Sequence, residues 1–454
     1  MNPLIQTPAG LPPSIDALRG LLRKGDLTVA EALTRQQHAL LGEHWHCVEH
    51  VWKLPSIWPN LSLPLAGVGL AHKDIFVMPQ RLPHCGAGSL PSGWQPTGQA
   101  SVVQRLSKAG APPLAMLGMA PFAGGATAES ETSPPMINPI DAAAVVGGSS
   151  SGSGVAVAAG LCYASLGTDT AGSVRMPAAT CGVMGLKTTH GLLSTRGVAP
   201  LAPSLDTVGV LARCSADLMT TLSCALNPLQ ARELRTTYDS AQRNGLHIAV
   251  SWTHTNPASQ LAPEVAQALD TLADELNIPT ERAIEDFREL QRLADVLLYA
   301  EAADVHAPAL RTQAPLPRLI RTLALAGSAI PATWYLEARR EQSSRRQAFL
   351  STTLANADIL LTPALPRGVP DAGRVTTTST DFQPRELLDM FSWMSFVNYL
   401  GLPAIVVPIA CDTRGRPISV QAVARPGKEG QLIAWAQQLE ERRPDVFSSL
   451  TLSK

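Results

Sequence analysis

Two glycine- and serine-rich loops bracket one short apolar run, and no other part of the chain limits its folding so tightly. The first reads Gly147-Gly148-Ser149-Ser150-Ser151-Gly152-Ser153-Gly154 and the second Leu166-Gly167-Thr168-Asp169-Thr170-Ala171-Gly172-Ser173. Glycine at this density serves tight turns and close backbone approach, because without a Cβ it tolerates positive φ and lets another segment come near. The alanine- and valine-rich run between the loops reads as a small helical element. A loop, a helical turn and a second loop, each loop carrying hydroxyls, therefore form one unit.

The unit fails the common alternatives. A phosphate cradle requires G-x-x-x-x-G-K-[ST], and no Gly-Lys-Ser/Thr occurs in the chain. Gly152-Ser153-Gly154 does not extend to G-x-G-x-x-G, because residue 157 is Val. Gly148-Ser149-Ser150-Ser151-Gly152 satisfies the nucleophile-elbow pattern with Ser150 at its centre. That elbow needs a histidine after its acid, and the last histidine is His306, with the final third of the chain lacking one. An S-x-x-K pairing is absent, since no lysine has a serine three residues before it. What survives is a serine hydrolase that works without histidine.

Composition narrows the partners. Charged residues are 16% of the chain, below the roughly 25% of an average soluble protein, while the hydrophobic share is 45%. A thick core, with room for a homodimer interface, fits that balance. A net charge of −1 without long runs of like charge gives no footprint for nucleic acid or an anionic membrane. The start lacks a basic, then apolar, secretory signal, and no stretch reaches the ~18 apolar residues of a membrane span. The seven cysteines are scattered without C-x-x-C spacing, which indicates neither a disulfide framework nor a thiolate metal site and points to a reducing cytoplasm. His44, His46, Cys47 and His50 superficially resemble a metal cluster, but Trp45, Val48, Val51 and Trp52 surround them and packing is the expected role.

Local signals outline the rest. Ser14 caps a helix that stops at Gly25, and Thr28 with Glu31 forms a capping box for the next. Residues 64–71 form an apolar run expected to be a buried strand delivering His72-Lys73-Asp74 at its end. Residues 215–350 carry helical periodicity, with one long helix from about Trp334 to Leu354. Ile405-Val406-Val407 and Ile418, Val420, Ala422 flank a turn at Asp412-Thr413-Arg414-Gly415 and predict a hairpin, followed by a helix from about Glu429 to Glu440.

The two loops, continued by Val174-Arg175-Met176-Pro177-Ala178 and Cys181-Gly182-Val183-Met184-Gly185-Leu186-Lys187, closely resemble the signature of the amidase signature family. The likeness extends in order to Ala71-His72-Lys73-Asp74, Gly88-Ser89, Asn138-Pro139, Ser204 to Gly209, Asp358 to Pro363, Asn398 to Ala404 and Gln421, covering nearly the whole chain. It implies an α/β fold: one domain over residues 1–454, a twisted mixed β-sheet surrounded by helices. Within it, residues 1–60 would be a helical entry, 64–214 the catalytic core, 215–355 a variable helical region, and 356–454 the remainder of the same sheet.

The family uses a Ser-cisSer-Lys triad whose serines stand 24 positions apart, the separation of Ser149 and Ser173. By position the resemblance makes Ser173 the nucleophile, Ser149 the proton relay after a cis Gly148–Ser149 peptide, and Lys73 the base. A serine attacks only when a base takes its proton, and lysine can be that base when desolvation populates its neutral form. Backbone amides of the turn at Thr170, Ala171 and Gly172 would stabilise the oxyanion. No metal and no cofactor are implied, and the expected partner is a small-molecule amide.

This chain departs from the pattern in places. Ala171 stands where many relatives have Gly, a change shared with some of the allophanate hydrolase branch, which Gly191 to Gly197 also resembles. That branch resembles a Tyr followed eight positions later by a substrate-binding Arg, and from Tyr299 the matching residue is Ala307. Met119-Ala120-Pro121-Phe122 replaces a longer pocket-lining segment and makes Phe122 the candidate substrate contact. Three other readings therefore stay open: a ureide hydrolase, a catalytically silent binding protein, and the amidase component of a tRNA-dependent amidotransferase. Met176, where that component resembles having Gln, speaks against the last.

Overall fold

The computed structural model describes residues 10–129, 133–252, 261–278, 283–284 and 286–450. Ten strands can be followed: β1 (Val48–Val51), β2 (Leu70–Lys73), β3 (Pro113–Leu117), β4 (Ala164–Asp169), β5 (Met184–Lys187), β6 (Thr207–Ala212), β7 (Ile248–Val250), β8 (Ile359–Pro363), β9 (Ala404–Cys411) and β10 (Pro417–Ala424). Seven of them form a sheet in the order β4-β6-β5-β9-β10-β8-β7. Its pairs are antiparallel except β7 with β8, so the sheet is mixed. The central strands read as unbroken apolar runs such as Ala404-Ile405-Val406-Val407 because helices cover both faces, and β10 is buried along its whole length. Among the described residues no helix is long and apolar enough to cross a membrane.

The other three strands form a separate small sheet, order β1-β3-β2. The lysine strand β2 lies in it, parallel to β3 with Lys73 opposite Leu117. Of the expected strand over 64–71 only residues 70 and 71 are extended, β2 running on to Lys73, because Gly67 takes φ 82 and the chain before it turns. The predicted helical entry likewise contains β1, and the predicted helical middle contains β7. Both are too short for alternation to stand out against their surroundings.

Signals that act within one turn are found where the sequence puts them. Ser14 accepts from the Ala17 amide and Gly25 closes the helix at φ 79. Thr28 and Glu31 cap each other reciprocally. The hairpin joins β9 and β10 across residues 412–416, and the closing helix spans Glu429–Arg442. The long helix of the middle region runs Ala332–Ser351. Of the aromatic–histidine group, His44 stacks on Trp45, His50 meets Trp52 edge-on, and His46 Nδ1 lies 3.0 Å from the Pro135 carbonyl.

Candidate active site

Two sheets meet at the glycine- and serine-rich loops. β2 brings Lys73 from the small sheet, and β4 of the large sheet ends at Asp169, directly before the turn that holds Ser173. Between them the helix Ser151–Ala158 is buried on every side, which its small residues allow.

Lys73 is completely buried, and its Nζ lies 2.8 Å from both Ser149 Oγ and Thr168 Oγ1. Burial lowers its pKa to about 7, against the opposing pull of the Asp206 and Asp169 charges. A neutral amine is thus well populated near neutrality, and its two neighbours are hydroxyls that can either accept from it or donate to its lone pair. The Gly148–Ser149 peptide is cis. A Cβ at Gly148 would stand 2.9 Å from the Gly125 carbonyl oxygen, so only glycine fits there.

Ser173 is nearly buried, 7% exposed. Its carbonyl accepts from the Ser150 amide at 3.1 Å, which ties the second loop to the first. Among the described residues no hydrogen bond joins Ser173 Oγ to Ser149 Oγ, so the expected chain of three groups is made at its lysine end and open at its serine end. Catalytic hydrogen bonds in a free enzyme are often loose and tighten when substrate arrives.

A buried ion pair fixes the turn itself. Arg175 Nη2 and Nε reach Asp169 Oδ1 and Oδ2 at 2.8 and 3.0 Å, with both side chains fully buried. Burial alone would raise the Asp169 pKa, but the Arg175 charge and hydrogen bonds outweigh it and hold the carboxyl below the usual range. Its oxygens also accept from the Gly172 and Val174 amides at 2.9 and 3.1 Å. The Gly172 amide, expected among the oxyanion donors, is therefore occupied. The amides of Thr170, Ala171 and Ser173 have no protein acceptor among the described residues. Gly172 holds φ 118, and a Cβ there would stand 2.8 Å from Met394 Cβ.

The remaining predicted site residue, Phe122, is buried and packs edge-on against His306 at 5.0 Å between ring centroids. It does not line the adjoining cavity of about 180 Å³; its neighbour Ala123 does, with Ile75, Trp94, Thr168, Thr170 and Asp206. Sequence reasoning missed the parts played by Thr168 and Asp206. Asp206 accepts from Thr170 Oγ1 at 2.6 Å and from the amides of Leu201 and Ala202, and burial raises its pKa. Both residues lie within segments that resemble the family, so the signal was present without the geometry to interpret it.

Comparison with known proteins gives the family. The family model described as Amidase matches residues 59–433. A glutamyl-tRNA(Gln) amidotransferase subunit from Bordetella avium (strain 197N) is 32% identical, over 83% of this chain and 83% of that protein. AtzE, a 1-carboxybiuret hydrolase subunit from Pseudomonas sp. (strain ADP), is also 32% identical, over 83% of this chain and 84% of that one. Among solved structures, an inhibitor-bound vestigial protein complex tied to the evolutionary origins of an s-triazine catabolic enzyme superposes with a TM-score of 0.81 at 26% identity, covering 95% of this chain and 98% of that one. An amidase crystal structure gives 0.78 at 25% identity, covering 94% and 99%.

Proposed function

The chain belongs to the amidase family and is an amide-hydrolysing enzyme, and from that premise we propose that it cleaves small neutral carboxylic amides through an acyl-enzyme on Ser173. The observation that carries the mechanism is Lys73, buried and depressed in basicity, between two hydroxyls. In this reading neutral Lys73 takes the Ser149 proton as Ser149 takes that of Ser173. Ser173 Oγ then bonds to the carbonyl carbon, and the oxyanion is faced by the Thr170 and Ala171 amides, with the Ser173 amide beside them. Collapse breaks the C–N bond, the relay returns a proton to the departing ammonia or amine, and water hydrolyses the ester by the same groups in reverse.

The cavity supports the choice of neutral substrates. Ser173, Ser149 and Lys73 do not line it, and in this reading it takes the part of the substrate away from the scissile bond; of its lining residues only Asp206 is charged, so the lining offers no cation to hold a carboxylate. Neutral aliphatic or aryl amides should be turned over better than carboxylated ureides such as allophanate. An ammonia-release screen across aliphatic, aryl, peptide and ureido amides tests this, and a clear preference for allophanate would reject it. Fluorophosphonate should label the wild type at Ser173 and leave Ser173→Ala unlabelled; labelling at Ser150 instead would return the elbow mechanism. The 32% identity to an amidotransferase component favours a second reading, in which the ammonia released passes to partner polypeptides. Co-purification of a stable assembly with two other chains would support that reading.

A further inference from the structure

The segment that leaves Lys73 goes on to build the cavity beside the site. Residues 75–77 run antiparallel to residues 197–199: Val77 donates to the Gly197 carbonyl at 2.8 Å, Ala199 donates to that of Ile75 at 3.0 Å, and Phe76 bridges Val198. Ile75 and Val198, both buried, are thereby fixed in the lining of the cavity of about 180 Å³. Leu201 adds to it, tied by its amide to Asp206. Trp94, half-buried, is the largest side chain in the lining; its amide donates to the Pro91 carbonyl, and its neighbour Gly93 lies against Pro308.

The polar part of the lining belongs to the catalytic side. Thr168, whose hydroxyl is 2.8 Å from Lys73 Nζ, and Thr170 both face the cavity. Asp206 already accepts from the Thr170 hydroxyl and from the Leu201 and Ala202 amides, so it is a satisfied acceptor and makes no demand for a cationic ligand. Size then decides what the space can hold. An apolar cavity of about 150 Å³ is enough to take up benzene. At about 180 Å³ this one has room for a single six-membered ring, and a short alkyl group would leave part of the lining without contacts.

We propose that this cavity is a specificity pocket for one ring-sized apolar group of the substrate, phenyl or cyclohexyl, and that Trp94 sets its upper size limit. This rests on the amidase reading above and narrows the substrate class within it.

Propionamide, phenylacetamide, cyclohexylacetamide and adamantylacetamide all keep a methylene beside the carbonyl, so their reacting carbons match while the distal group grows. N-ethylacetamide, N-benzylacetamide and their cyclohexyl and adamantyl counterparts repeat the series on the leaving group. In one of the two arms the ring-bearing amides should exceed the short alkyl amide by about ten- to a hundredfold in kcat/KM, the worth of burying one large apolar group. That arm identifies which part of the substrate fills the pocket, and no ring preference in either arm overturns the proposal. In the preferred arm the adamantyl amide, thicker than a ring in every direction, should fall at least about tenfold below the phenyl one. Trp94→Ala should raise the adamantyl-to-phenyl ratio by about tenfold or more. Equal acceptance of adamantyl and phenyl by the wild type, or an unchanged ratio in Trp94→Ala, overturns the proposal; so does a preference for a phenyl ring carrying an aminomethyl group, which would make Asp206 a counter-charge. Calorimetric titration of the same amides into Ser173→Ala reads the pocket without turnover. Ring-selective binding there, together with absence of fluorophosphonate labelling at Ser173 in the wild type, would reject the amidase mechanism and uphold the pocket.

Discussion

Lys73 and Lys187 each occupy the last position of a strand, β2 and β5, and each is completely buried. Loss of hydration lowers both to about 7. Their neighbours differ. Lys187 Nζ donates to the Leu402 and Thr188 carbonyls at 2.7 and 3.1 Å, groups that can only accept. Lys73 meets the hydroxyls of Ser149 and Thr168, which can also donate. One lysine pins the loop before β9 to the sheet, and the other, in the proposed mechanism, takes a proton from the Ser149 relay. Depressed basicity alone does not mark a base; the partner must have a proton to give.

Replacing each lysine by methionine is the severest trial of that distinction. Lys73→Met should lower kcat/KM by about 10⁴-fold or more, as expected when one member of a cooperating set is lost. Lys187→Met should leave the reaction within about tenfold and lower the melting temperature, because two buried carbonyls lose their donor. Ammonia release and thermal unfolding measure the two effects, and equal catalytic losses would erase the contrast.

The two hydroxyls on Lys73 can be separated next. Ser149→Ala should cost about 10²- to 10⁴-fold in kcat, the range for losing acid-base assistance. Thr168→Val should cost about tenfold, the worth of one neutral hydrogen bond. Steady-state kinetics with a single amide suffice, and a larger loss at Thr168 would make it the relay.

The smallest effect is in the pH profile. Lys73 accepts a proton only when neutral, so kcat/KM should climb with pH below about 7 and level off above it. The Asp206 charge raises the Lys73 pKa. Asp206→Asn should therefore shift the rising limb to lower pH; a shift the other way, measured with chemistry rate-limiting, would remove lysine from the base role.

What could be read from the sequence follows the reach of each signal. The capping box at Thr28 and Glu31 and the turn at 412–415 are complete within a few residues, and the structure has them in place. The serine loops were legible because their chemistry is contiguous, and Lys73 through its place in the resemblance. Thr168 stood within the quoted motif, yet only the docking of the small sheet on β4 makes it a partner of a lysine 95 positions away. Lys187 was quoted as part of the motif without any sign that it mirrors Lys73, since both environments are assembled from distant segments. Phe122 was expected to face substrate; its contact with His306 depends on a helix that begins far along the chain.

Arg175 sets the order in which the site becomes complete during synthesis. Beyond Asp169 it bonds Asn398, Gln421 and the Met394 carbonyl, the farthest of them 246 positions along the chain. Translation at about 5–20 residues per second brings out Ser173 on the order of ten seconds or more before Gln421. Until that last partner arrives, the guanidinium that steadies Asp169, and through it the Gly172 amide, lacks its full anchorage. The nascent chain carries Ser173, the proposed nucleophile, without the fixed turn that would arm it, and amides around the ribosome meet the finished site only after the sheet has closed.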